Sequence, residues 1–213
     1  LAGCYHAPVS STPVITAGED GGPYTFFDRL VGGTNRVELA RAGKVAANPG
    51  GPMILSKTGA DRWWLGSRFA LAGVDLDHPI DVVGSLAQGA LTAGAGGPVA
   101  VPSITTTTPG CMVFAVFAMG TYIGGQGIFP NGWASVGITA GWDKLSAGTA
   151  LGSTGAPSLA IFKKTQVAAG PTGDFVITLP DLGANAYVCG QIAFRAADGG
   201  VVVAGGTDHT WMG

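Results

Sequence analysis

A chain of 213 residues is long enough to bury a core, and 46% hydrophobic residues with a formal net charge of −2 exclude a disordered chain, which lacks the apolar surface to offset its ordering entropy. Glycine at 37 of 213 residues is roughly 17%, against about 7% in average usage, and 11% charged residues is less than half of the common ~25%. With glutamate only at Glu19 and Glu38 and five lysines, little here could solvate the outer face of long helices. No basic patch offers a footprint for nucleic acid, and no apolar run reaches the ~18 residues of a membrane span.

Leu1-Ala2-Gly3-Cys4 is spelled like a lipobox, but no apolar signal segment accompanies it and it is not read as a lipidation site. Val37 to Lys44 predicts a mixed strand, Met53-Ile54-Leu55 an apolar one, and Trp63 to Leu71 an aromatic one. Val74 to Gln88 (VDLDHPIDVVGSLAQ) is expected to hold one helical turn ahead of a Gly/Ala-rich connector. Thr105 to Thr108 is a β-prone tract leading into Met112 to Met119 (MVFAVFAM), whose lack of clean alternation predicts a strand covered on both faces. Leu159 to Phe162, Phe175 to Leu179, Tyr187 to Phe194 and Val201 to Ala204 continue the series, each bounded by Gly, Pro, Asn or Asp turn chemistry. The expectation is an all-β fold, an antiparallel, jelly-roll-like β-sandwich.

The segment Val45-Ala46-Ala47-Asn48-Pro49-Gly50-Gly51 recurs as Val167-Ala168-Ala169-Gly170-Pro171-Thr172-Gly173, 122 residues later (167 − 45). Each copy follows a mixed strand (Val37 to Lys44; Leu159 to Gln166), precedes an apolar one (Met53 to Leu55; Phe175 to Ile177) and is closed by an aromatic one (Trp63 to Leu71; Tyr187 to Phe194). Gly3-Cys4 corresponds loosely to Gly110-Cys111, and Gly22-Pro23-Tyr24 to Asn131-Gly132-Trp133. An internal duplication is expected, with halves 1–101 and 102–213 forming a single sandwich unit.

Catalytic chemistry is thinly supplied. His6, His78 and His209 are the only histidines, and no GxSxG elbow, HExxH, Walker A or strand-to-helix GxGxxG occurs. Thr92 to Gly97 (TAGAGG) reads as a loop, and Glu19, Asp20 and Asp28 give no sign of converging as a glycosidase pair. Asp75, Asp77, His78 and Asp81 are the densest ligand cluster. Calcium is chemically reasonable there, but aspartates beside proline start turns by bonding their own backbone, and turns are the preferred reading. No catalytic residue, cofactor or metal site is assigned. Cys4, Cys111 and Cys189 are odd in number without CxxC spacing and read as buried free thiols. For Trp63, Trp64 and Trp142 the core is the leading reading, with a subunit interface or a sugar platform as the alternatives for which they are candidates, Trp142 being the one whose flanks, Gly141 and Asp143, suit exposure. In Pro130-Asn131-Gly132-Trp133, Pro130 and Gly132 suit a tight reversal that presents Trp133 as a structural residue.

That last string resembles the "P-x-G-W-x-x-V" step of tailed-bacteriophage minor tail and virion appendage proteins, in their glycine- and alanine-rich β-sandwich form. The resemblance continues through Leu159 to Lys164 (LAIFKK), Phe175 to Leu179 and Gln191 to Arg195 (QIAFR), and Phe69 to Ile80 (FALAGVDLDHPI) is similar to a "Y-x-G-V-D-x-x-x-P" segment. Tyr24 stands where tryptophan is common, and Leu71-Ala72 where an arginine is. The resemblance implies a non-enzymatic structural subunit of the virion, tail-associated or a surface appendage. Its partners would be itself, other virion proteins and a host-surface glycan, with no nucleic acid and no membrane span. The alternatives are a secreted or cell-surface carbohydrate-binding module or adhesin, and a self-polymerising extracellular filament subunit.

Overall fold

β-Branched and aromatic side chains pack well on a pleated surface, and glycine and proline punctuate the runs between them. Among the described residues the chain accordingly holds strands, turns and bends and no helix. The computed structural model describes residues 2–6, 13–15, 25–32, 37–43, 55–57, 63–91, 96–119, 136–149, 158–179, 185–197, 201–203 and 208–212. In chain order the strands are β1 (Ala2–His6), β2 (Pro13–Ile15), β3 (Thr25–Gly32), β4 (Val37–Gly43), β5 (Leu55–Lys57), β6 (Trp63–Arg68), β7 (Leu71–Ala72), β8 (Ile80–Val83), β9 (Ala87–Leu91) and β10 (Gly97–Val101). They continue as β11 (Thr105–Thr106), β12 (Cys111–Met119), β13 (Gly137–Ile138), β14 (Asp143–Thr149), β15 (Ser158–Gln166), β16 (Gly170–Pro171), β17 (Phe175–Leu179), β18 (Asn185–Phe194), β19 (Val202–Val203) and β20 (Asp208–Met212).

Two large antiparallel sheets run β20-β6-β1-β4-β3 and β14-β15-β12-β18-β8, with β9 also on β18. A smaller sheet, β10-β17-β13, and the pairs β11-β16, β19-β7 and β2-β5 complete the ladders. β12 is buried along its whole length, as its unbroken apolar run predicts. Its odd-numbered residues, Val113 and Phe117 among them, enter a core closed by Val99 and Val101 of β10 and Phe175, Ile177 and Leu179 of β17. Its even-numbered residues, Phe114 and Val116 among them, enter a second core with Val37 and Leu39 of β4. The sheet built on β12 is therefore a middle layer. On the β4 side the two large sheets face each other: β3 lies over β9 and β18, β4 over β18 and β12, β1 over β12 and β15, and β6 over β15 and β14.

Reading outward, β6-β1-β4-β3 and β18-β12-β15-β14 take their strands in the same order of chain position. In both, the outer strand carries a bulge at its third residue, Phe27 in β3 and Leu145 in β14. An extra residue in a ladder bends the strand and re-aims a side chain, and Phe27 and Leu145 both pack on the core between the sheets.

Two expectations are corrected. Val74 to Gln88 holds no helical turn: β8 and β9 lie there, because Ile80, Val82 and Val83 find an open ladder on β18 at Phe194, Ala193 and Ile192. Trp142 is buried, only 6% exposed, and no longer an interface or sugar candidate, since the turn at Gly141 folds its ring onto Phe175 at 4.9 Å between centroids. The first repeat copy, Val45 to Gly51, lies outside the described residues, whereas the second forms a turn and β16.

Candidate functional site

Alternation along VELARAG puts Arg41 on the same face of β4 as Val37 and Leu39, which aims a guanidinium into the core between the large sheets. Arg41 is 1% exposed. Asp28 stands directly opposite it in the β3–β4 register. Arg41 Nε donates to Asp28 Oδ1 at 2.8 Å, and Nη2 closes a bidentate pair on Oδ2. The remaining donors cross to the other sheet, Nη1 to the Gln191 carbonyl at 2.7 Å and Nη2 to the Gly84 carbonyl at 2.6 Å. Gly190 lets this happen, since a Cβ there would stand 2.8 Å from Leu86 Cδ2 and 3.4 Å from Arg41 Nη1. A planar fork with fixed donors suits such a multidentate clamp better than a lysine point charge.

Gln191 carries the connection to the next layer. Its side chain, fully buried, accepts from Thr172 Oγ1 at 2.7 Å and donates to the carbonyls of Val101 at 3.2 Å and Gly173 at 3.1 Å. Thr172 Oγ1 in turn accepts from the Ile104 amide at 3.0 Å. Lys164 Nζ donates to the Thr172 carbonyl and sits 5.2 Å from the Trp142 ring centroid, within cation–π range. Burial lowers the pKa of Lys164. Asp28, Arg41, Gln191 and Thr172 thus form one polar spine through three layers, and each of these groups has its partners inside the protein.

A second node is built on Asp81, whose side chain is shielded from solvent. It accepts from the Thr107 amide, Thr107 Oγ1 and Thr108 Oγ1, each at 2.7 Å, and faces Arg195 Nη2 at 3.6 Å. Burial works to raise its pKa, but the Thr107 and Thr108 hydrogen bonds and the Arg195 charge outweigh it and hold the carboxyl below the usual carboxylate range. Asp75 instead accepts from the Asp77 and His78 amides at 3.0 and 3.2 Å, the aspartate turn expected from its sequence. Asp75 and Asp81 thus bond to different partners. Among the described residues no group of three His, Cys, Asp or Glu side chains is placed to hold a metal ion.

Trp63 and Trp64 lie on β6, in register with His6 and Tyr5 of β1. Pro130, Gly132 and Trp133 lie outside the described residues. Cys111 and Cys189 are buried free thiols, as expected from their spacing. Burial pushes the Cys189 thiol up to about 12, against a smaller opposing pull from the Arg41 charge. Burial also raises Cys111, which lies 3.1 Å from Thr108 Oγ1. Thiols so shifted stay protonated and poorly nucleophilic at neutral pH. Sequence reasoning missed Arg41 and Gln191; the available signal was a cation or amide at an inward-facing position of an otherwise apolar strand. No family model, curated protein or solved structure matches the chain.

Proposed function

We propose that the chain is a non-enzymatic structural subunit of a virion, tail-associated or a surface appendage, that assembles with copies of itself and with other virion proteins. The observation that carries this reading is the Asp28–Arg41–Gln191–Thr172 spine. Its buried polar groups bond to one another and to backbone carbonyls of other layers, which is the use of polarity a rigid scaffold requires. The low charge of the sequence agrees with a surface covered by neighbours. Trp63 and Trp64 remain the proposed interface anchors, while the buried Trp142 ring is withdrawn from that role. A jelly-roll-like arrangement of two duplicated halves, 1–101 and 102–213, is part of the proposal. It is supported by the common order β6-β1-β4-β3 and β18-β12-β15-β14 and by the matching bulges at Phe27 and Leu145.

Gold-labelled antibody against the chain, applied to purified particles of the source and read by electron microscopy, tests the reading. Label at a fixed place on the tail or surface is the expected result. A chain found in infected-cell cytosol and never on particles would overturn it.

A further inference from the structure

The two large sheets complete their edges reciprocally. β8 and β9 follow β6 in the chain yet pair with β18, while β20 follows β18 yet pairs with β6. Between them β7 and β19, which follow β6 and β18, pair with each other. Each half of the chain is thus finished by a strand that trails the other half.

β8 and β9 lock into place, with Val82 and Leu91 packed on one core, Ile80 and Val83 on the other, and the Gly84 carbonyl bonded to Arg41. β20 sits at a sheet edge, laddered to β6 alone among the described strands, and Ala204-Gly205-Gly206-Thr207 joins it to β19. Without β20, β6 would present a row of unpaired amides and carbonyls, which is a template for any matching strand.

We propose that the β6 edge is the assembly surface of this chain and that its occupant in an assembly is β20 of a second copy, docked antiparallel in the same register. Asp208 then stands opposite Arg68 and Trp211 opposite Leu65, as they do within one chain. The inference rests on the assembly reading above. The ladder is identical whether the strand comes from the same chain or a neighbour, so the choice depends on concentration. A link of a few residues gives an effective concentration on the order of millimolar, which a neighbour held in a packed particle can match. Exchange of an identical element is a low-cost route to association because no new contact has to be invented.

The test uses full-length chains carrying Arg68→Cys or Asp208→Cys, one of them with a size tag, mixed at about millimolar concentration and oxidised. A disulfide-linked dimer joining the two variants is expected, and neither variant oxidised alone should give it. The idea is overturned if the mixture gives no linked dimer while the R68C/D208C double variant closes its bond wholly within one chain. The same double variant separates this inference from the one beneath it. Incorporated into particles with every bond inside one chain, it removes strand exchange and leaves the virion role standing. Linked dimers in purified protein with the chain absent from particles support exchange and remove the virion role.

Discussion

Arg41 occupies a position where strand alternation calls for an apolar side chain, and the fold tolerates it because Asp28 neutralises the charge and two carbonyls take the remaining donors. Breaking one side of a buried pair leaves an uncompensated group, at a typical cost of about 3–5 kcal/mol. Arg41→Ala should lose about that much in urea unfolding, and Arg41→Lys should recover little, since a single ammonium cannot span a carboxylate and two carbonyls. A lysine variant with wild-type stability would show that the forked geometry is unimportant. Asp81 makes a pH-dependent case. Its folded pKa lies below its ordinary value of 3.8, so the folded chain binds its proton less readily than the unfolded chain does. Its contribution is therefore present above that ordinary value and is lost as pH falls through the folded pKa. The stability gap between Asp81→Asn and wild type should be widest near neutrality and shrink below about pH 4; a gap independent of pH would refute the assignment. Cys189 should resist iodoacetamide at pH 8 until the chain unfolds, because its thiol is raised to about 12. Rapid labelling of the native protein would contradict its burial.

Strands were legible wherever a run was apolar and bounded, as at Met112 to Met119, where the absence of alternation announces cover on both faces. Legibility failed where a partner strand decides the outcome. VDLDHPIDVVGSLAQ mixes turn-forming aspartates with four β-branched residues, and only the open edge of β18 selects extended structure for it. The flanks of Trp142 misled for a related reason: Gly141 and Asp143 describe the backbone's exposure, whereas the indole is placed by Phe175 and Lys164 from distant segments. Arg41 and Gln191 could not be found as a pair, because nothing in sequence joins residues 150 apart. Gly84 shows what such a junction demands. It donates its amide to the Gln191 carbonyl and gives its own carbonyl to Arg41, and a Cβ there would meet Ile104 Cγ2 at 2.3 Å and the Gln191 carbonyl oxygen at 2.9 Å. Gly84→Ala should therefore destabilise by about 1–3 kcal/mol, the usual cost of overpacking. An alanine variant melting at or above the wild-type temperature would mean that β8 can move away from β18 without loss.

At the scale of the whole molecule, the question is whether the layers unfold together. β12 gives alternate side chains to both cores, so neither core can dissolve without stripping one face of the same strand. Phe114 stacks on Phe69 at 4.6 Å and meets Phe194 edge-on at 5.6 Å in the core between the large sheets, while Phe117 stacks on Tyr187 at 5.7 Å in the other. Truncating a buried phenylalanine costs about 3–5 kcal/mol out of the ~5–15 kcal/mol that holds a domain together. If the shared strand makes the layers one cooperative unit, the loss in Phe114→Ala must appear on both sides of it. Hydrogen exchange should then show the slowest amides of β4 and β17 losing protection to the same extent, although β17 packs on the opposite core from the substitution. Phe117→Ala should give the mirror result. β17 amides that keep wild-type protection in Phe114→Ala while those of β4 open would show that the middle sheet insulates its two faces, and the layers would then be separate folding units that share a wall.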